Sequence, residues 1–373
     1  MTVDRRTFLK TSGALAAASA LPLALAAKPA AKPLRILVLG GTGFLGPSTI
    51  EVALARGHKV SMFNRGRTRP ELFPDVEKLH GDRDPKKGEG LKALEQGEWD
   101  VVIDNSGYYP RMVKASAELV AKRCRQYIYI SSISAYKEPN PLDGVETAPL
   151  ATMPDPTVET MGKNYEWYGA LKALCEQAAE AAMPGRATIV RPGYIVGPDD
   201  PTGRFTYWPV RFAQGGEVPV PGSPEDPVQV IDVRDLGAWL VLLAEKNITG
   251  AFHATGAEKP HRWGRIIEAC QKAAGVPSTP LWLPTDFVAQ QEGLAYPIWA
   301  PPTGDTAGFH RWNVAKAMKA GLRFRPVEQT VADTLAWYRT QEKVEKGRTR
   351  LAAPTPETEA KAVAAWKAQA KKG

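Results

Sequence analysis

The run Leu34-Arg35-Ile36-Leu37-Val38-Leu39, followed at once by Gly40-Gly41-Thr42-Gly43-Phe44-Leu45-Gly46, constrains this chain more than any other segment. The apolar run reads as a buried parallel strand. Phe44 to Arg56 carries apolar residues at helical spacing and stops before Gly57, so the unit is strand, glycine turn, helix. Glycines at 40, 43 and 46 let the backbone approach a pyrophosphate, which the free N–H groups and partial positive charge of the helix N-terminus attract. Glycine spacing alone is a weak signal, but between a strand and a helix it predicts dinucleotide binding by Gly40, Thr42, Gly43, Phe44, Leu45 and Gly46.

The alternation continues. Strands are predicted at 58–64, 76–80, 100–104, 127–131 and 187–191, with helices at 89–96, 111–124 and 165–183 between them. That is an α/β fold, a Rossmann-type doubly wound parallel sheet over about 34–200. Beyond it, a strand at 228–231 and helices at 235–246, 263–274 and 327–340 predict a smaller C-terminal substrate lobe over 201–340, partly interleaved with the sheet. A charged helical tail, 341–373, follows, with Val363 and Trp366 marking one docking face. The Pro- and acid-rich stretch 137–163 reads as a long loop over the sheet's C-terminal edge.

The first 26 residues have the anatomy of an export signal: a basic start, an Ala-rich apolar centre, and Ala24-Leu25-Ala26 as a small-x-small cleavage site. Arg5-Arg6 with Phe8-Leu9-Lys10 resembles the twin-arginine signal, which implies contact with the twin-arginine translocase and a periplasmic or otherwise exported protein. Such signals are associated with proteins exported already folded, often with a cofactor in place. The net charge of +8 over 373 residues, partly carried by that leader, suggests no nucleic-acid partner. No apolar run of membrane-spanning length follows the leader, and three widely spaced cysteines make neither a disulfide framework nor a metal site.

Chemistry concentrates at a few points. At the end of the second strand, where an acidic side chain usually meets the adenosine ribose, this chain has Asn64-Arg65-Gly66-Arg67. Arg65 or Arg67 could meet a 2′-phosphate, which favours NADP, while Asn64 could still bond a 2′-hydroxyl in NAD; both arginines could equally be solvated. Asp82, beside Arg83 after the third strand, could accept from the adenine amino group, and Ser106-Gly107 ends the fourth strand along the cofactor path. Tyr168 and Lys172, four apart, share one helical face, where a cationic Lys lowers the phenol's pKa for proton exchange with a substrate oxygen. Ser131-Ser132 precedes them at a strand end, and Tyr165 is a weaker rival because Gly169, not Lys, lies four residues on.

Together these motifs resemble the extended short-chain dehydrogenase/reductase superfamily, in its NAD-dependent epimerase/dehydratase branch, over residues 34 to 340. The resemblance implies Ser132 as hydroxyl donor, four residues before Tyr136, Tyr168 as acid/base, and Lys172 as its tuner and ribose ligand. It places Pro192-Gly193 beside the nicotinamide of a bound NAD(P), and it implies a homodimer built on the helices at 111–124 and 165–183. For the substrate, Ser131, Tyr194, Arg204, Tyr207 and Trp208 are candidates, the last three facing a sugar ring by stacking and hydrogen bonding or, for Trp208, packing in a core. Two departures narrow it: Val228 stands where nucleotide-sugar members carry a diphosphate-clamping Arg, and the interval from Ser132 to Tyr168 is long.

The resemblance therefore implies an oxidoreductase acting on a sugar-like hydroxy or keto compound. Little free dinucleotide exists outside the cytoplasm, so the cofactor is expected to be held and recycled in each turnover, as in epimerisation or dehydration. The alternative is a dinucleotide-binding or RNA-binding protein of the same fold, as the resemblance to chloroplast stem-loop binding proteins suggests.

Overall fold

The computed structural model describes residues 29–341 and 351–370; the leader, 342–350 and the last three residues lie outside the described residues. In chain order the first half runs β1 (Arg35–Leu39), α1 (Leu45–Ala55), β2 (Lys59–Asn64), β3 (Glu77–His80), β4 (Val101–Asp104), α2 (Pro110–Val120), β5 (Gln126–Ile130), α3 (Tyr168–Ala182) and β6 (Ala187–Pro192). Then come β7 (Tyr194–Val196), α4 (Tyr207–Ala213), β8 (Gly216–Pro221), β9 (Pro227–Val228), β10 (Val230–Asp232), α5 (Val233–Lys246), β11 (Gly250–Ala254), β12 (His261–Arg262), α6 (Trp263–Ala274) and β13 (Ser278–Leu283). Short helices α7 (Thr285–Ala289) and α8 (Ala315–Lys319) precede α9 (Val327–Gln341) and α10 (Pro356–Ala370).

Seven strands form one sheet in the order β11-β6-β5-β4-β1-β2-β3, every neighbouring pair parallel. The strand order reverses between β1 and β4, which opens a crevice at their C-terminal ends. Both faces are covered, α1 and α5 on one and α2 and α3 on the other, which is why the central strands are apolar throughout rather than alternating. The predicted α/β sheet is observed.

Details differ where local pattern is weak. The helix expected at 89–96 is only a 3₁₀ turn at Lys92–Leu94, because Gly88 and Gly90 both take positive φ and turn the chain before it. The strand expected at 228–231 breaks at Gln229, whose backbone N–H donates to His310 Nδ1 (3.0 Å) and whose amide bonds the Trp312 backbone in both directions (2.9 Å each). The lobe has its own core around Trp208, Trp263 and Phe212, tied by three two-stranded ladders. The tail helix α10 docks by one face: Ala362 is buried, Trp366 packs on Phe287, and Glu359 takes Arg211 Nε at 2.7 Å. All three cysteines are free and buried.

Candidate active site

The glycine turn sits at the crevice. Gly40 has φ +91°, and a Cβ there would lie 2.6 Å from the Asn105 carboxamide, while a Cβ on Gly46 would strike the Gly41 carbonyl. Asn105, at the end of β4, donates through its carboxamide nitrogen to Gly40 O (3.2 Å) and Leu39 O, pinning the turn. Phe44 at the start of α1 offers no side-chain cap, so the first-turn N–H groups remain free for an acceptor from outside. This cradle fits a dinucleotide pyrophosphate: Gly40, Thr42, Gly43, Phe44, Leu45 and Gly46 all lie on it.

At the adenosine end, Asn64 Oδ1 accepts from Gly66 N (2.7 Å) in a tight turn, and Arg65 and Arg67 are exposed. Asp82 likewise caps its own loop, accepting from Asp84 N (2.9 Å). Arg83 departs from the expected cofactor contact. It is drawn under the sheet edge to the buried carboxylate of Asp104 (2.5 Å), which also takes the Tyr127 hydroxyl (2.6 Å). A buried carboxylate needs such partners, and Arg83 supplies the opposite charge.

Across the crevice, Ser132, Tyr168 and Lys172 converge. Gly169 makes this possible, since a Cβ there would run into the Ser134 carbonyl; its absence lets the start of α3 rest on the turn after β5. Ser132 Oγ accepts from Ser134 N (3.1 Å), which leaves the hydroxyl proton free to donate. Burial raises the Tyr168 pKa, and the neighbouring Ser132 hydroxyl pulls it back. Lys172 is buried and donates to Gly107 O (3.0 Å) and Ile130 O (2.6 Å), with its ammonium 4.4 Å from the Tyr129 ring centre. Two of its three protons are thus committed to the backbone and one remains. Burial pulls the Lys172 pKa down to about 8. Tyr165, 70% exposed, stands out in solvent.

Ser106 Oγ and backbone N–H both turn to Asp104 Oδ1, and Gly107 is fixed by Tyr129 and Lys172 through its carbonyl. Pro192 closes β6, and Gly193 packs against the Thr255 hydroxyl, where a side chain would not fit. Of the substrate candidates, Tyr194 and Arg204 come together, the guanidinium 4.7 Å from the Tyr194 ring centre. Three others point elsewhere. Ser131 is buried and donates to Glu176; Trp208 is fully buried and donates to Pro297 O (3.0 Å); Tyr207 is buried and donates to Glu359 of the tail helix (3.1 Å). Tyr207 and Trp208 face the lobe core because α4 packs against α6 and α9, a long-range choice that local sequence does not encode.

Two features are new. Behind the site, Glu176 and Arg191 form a buried fork (2.9 and 2.6 Å), extended by Arg191 to the Tyr136 hydroxyl (2.5 Å) and from there to His253 Nε2 (2.5 Å). Glu176 lies one turn beyond Lys172, so an acidic i+4 continuation of the Tyr/Lys face was the available signal. Above the glycine turn, Arg69 donates to Thr42 O (3.0 Å) and Gly43 O (2.6 Å) and pairs with Asp199 on the loop after β7. Arg69 and Asp199 both have positive φ, and nothing in the sequence separates Arg69 from its neighbours Arg65 and Arg67.

Residues 2–22 match the twin-arginine translocation pathway signal sequence, which marks the chain for export by that route. Among curated proteins, the chain is 28% identical over 262 residues to chloroplast stem-loop binding protein of 41 kDa b from Arabidopsis thaliana, covering 65% of this chain and 64% of that protein. That match leaves more than a third of the relative's length uncovered. The 2′-dehydrokanamycin reductase of Streptomyces kanamyceticus is 26% identical over 277 residues, covering 71% of this chain and 73% of the relative. In fold, the chain resembles the Bordetella bronchiseptica enzyme WbmH in complex with NAD+ (17% identity, 82% of this chain and 98% of that one, TM-score 0.61). It also resembles the UDP-glucose 4-epimerase of Thermus thermophilus in complex with NAD (20% identity, 82% and 99%, TM-score 0.58). Residues 36–253 match the NAD dependent epimerase/dehydratase family, and the chain belongs to that family.

Proposed function

We propose that this protein is an exported NAD(P)-dependent enzyme that epimerises or dehydrates a compact, sugar-like hydroxy or keto compound, keeping its cofactor and regenerating it within each turnover. The observation that carries this reading is Lys172 seated on Gly107 O and Ile130 O at the C-terminal ends of β4 and β5, with Tyr168 one helical turn before it beside the Ser132 hydroxyl, at the sheet edge that also holds the glycine turn. When bound, the dinucleotide supplies a hydride acceptor and donor. Tyr168 takes the proton of a substrate hydroxyl as the neighbouring C–H hydrogen departs, and returns a proton when that hydrogen comes back. Ser132 donates its free hydroxyl proton to the same substrate oxygen. The remaining Lys172 proton is available to a ribose hydroxyl.

Export supports the recycling cycle, since a net dehydrogenase outside the cytoplasm would stop once its cofactor was spent. Val228 supports a substrate without a nucleotide diphosphate: it is fully buried in β9, so no cation stands there. The exposed Arg65 and Arg67, with no acid at the end of β2, support NADP over NAD. RNA binding is named for the Arabidopsis relative, whereas here the export route and the Ser132/Tyr168/Lys172 arrangement favour chemistry. Mass spectrometry of the small molecules released on denaturing protein purified without added cofactor tests the proposal. Stoichiometric NADP is the expected result; an empty protein would overturn the retained-cofactor cycle.

A further inference from the structure

Arg204 is a cation with open donors. Its Nε donates to Thr202 Oγ1 (3.1 Å) and its planar face lies on the Tyr194 ring, but neither terminal nitrogen has a hydrogen-bond partner among the described residues. Neither is a sealed, unsatisfied atom, and Arg204 is half-buried, so both are open to an acceptor from outside. Of the acids around it, Asp199 is paired with Arg69, while Asp200 has Oδ1 held by the Thr202 backbone (2.8 Å) and hydroxyl (2.7 Å) and a buried Oδ2 with no hydrogen-bond partner; burial raises the Asp200 pKa and the Arg204 charge pulls it back. No carboxylate lies within ion-pair distance of Arg204 among the described residues.

The position of this cation is set firmly. Tyr194 begins β7 directly after Pro192-Gly193, and its ring is backed by Phe309 and His310 at centroid distances of 5.8 and 6.0 Å. The guanidinium stacked on that ring has its orientation fixed before any ligand arrives, which lowers the entropic cost of using it. Burial raises the pKa of the Tyr194 and Tyr168 phenols and the Arg204 charge pulls both back, so the cation lies near enough to act on the proposed acid/base. A planar fork of free N–H donors matches a carboxylate in two-point geometry.

We propose that Arg204 is the anchor for a single carboxylate on the substrate, which makes the substrate a compact sugar acid or related hydroxy/keto acid. Tyr194 orients the anchor, Arg204 holds the carboxylate, and the reacting carbon is presented to Tyr168 and Ser132. The inference rests on the proposed redox reading for the second step alone; carboxylate capture stands on Arg204 by itself.

The test uses the holoprotein, with D-gluconate, D-glucuronate and uncharged D-glucose as probes, followed by saturation-transfer NMR titration. At least one of the acids is expected to bind about tenfold or more tightly than glucose, as hydrogen bonds to charged groups imply. Arg204→Gln is expected to abolish that preference, leave glucose binding unchanged and preserve the melting temperature, and Arg204→Lys to restore part of it. Equal binding of acids and glucose, failure of both acids to bind, or a preference that survives in Arg204→Gln would each overturn the proposal. In the same samples, a change in bound-cofactor absorbance on adding the acid reads the redox step. Arg204-dependent binding with no such change leaves the anchor standing and removes the proposed function.

Discussion

The sheet half and the lobe handle their polar groups differently. In the sheet half, function-bearing geometry is made by the backbone: the glycine turn, the uncapped start of α1, the two carbonyls that seat Lys172. In the lobe it is made by side chains that long-range packing leaves over, with Arg204 stacked on Tyr194 and Tyr207 and Trp208 turned into the core. Backbone devices announce themselves in sequence because few residues can build them. Leftover side chains do not, because a helix or loop must first be docked before any face of it becomes the cleft.

The comparison breaks if the sheet half tolerates change at its proposed chemical centre. Tyr168→Phe removes the exchangeable proton and nothing from the cradle, so kcat is expected to fall about 10³-fold, within the range for a lost general acid/base, while cofactor stays bound. Steady-state kinetics with cofactor quantified in the same preparation checks it; retained activity would sink the mechanism.

In the lobe the largest effect is expected from pH. His310 is buried with Nδ1 accepting from Gln229 N and Nε2 donating to Ile298 O (2.8 Å), an arrangement only the neutral ring satisfies. Burial pulls its pKa down to about 4. An unfolded His titrates near 6.5, so between these values the unfolded state binds the extra proton. Stability is then full above about pH 6.5 and is lost as pH falls toward 4, by about 3 kcal/mol at one pH unit per 1.36 kcal/mol. His310→Gln keeps one donor and one acceptor and is expected to flatten that acid limb in urea melts; an unchanged slope refutes the assignment.

A smaller effect, about 2 kcal/mol, is expected for Gly46→Ala, whose methyl meets the Gly41 backbone and must displace the start of α1. Thermal melts give the stability loss, and isothermal titration should show weaker dinucleotide binding. Wild-type affinity in this variant would mean that the turn adapts and that its glycines are less restrictive than the cradle argues.

The same physics sets how far the sequence could be read. Strand, glycine turn and helix at 34–56 were legible because each step demands particular residues, and so were the i, i+4 spacing of Tyr168 and Lys172 and the buried strands of the sheet. The edge strand β11 was missed, since Gly250-Ala251-Phe252-His253-Ala254 is short and carries a buried His that only its contact with Tyr136 explains. β8 and β13 were missed because prolines interrupt both, and the one ladder they form together stands as an isolated pair where a missing N–H is tolerated. Arg83 read as a ligand because Asp104, its buried partner, is brought beneath it by the parallel register of distant strands.

The sharpest test of whether the two halves are separate devices is the bridge between them. Arg69 leaves the loop after β2, crosses the glycine turn by donating to Thr42 O and Gly43 O, and ends on Asp199 at the entrance to the lobe. A guanidinium on those carbonyls stiffens the turn that the pyrophosphate is proposed to occupy, and its pairing with Asp199 links that turn to the substrate side. Both ends are partly exposed, so the pair itself adds little to stability. Its effect is expected in rate: Arg69→Ala should speed release of reduced dinucleotide about tenfold, the size of one or two charge-assisted hydrogen bonds, with little change in melting temperature. Asp199→Asn keeps the carbonyl contacts and should show a smaller acceleration. Stopped-flow fluorescence of the bound cofactor reads both, and equal release from wild type and both variants would mean that cofactor retention is set by the sheet half alone.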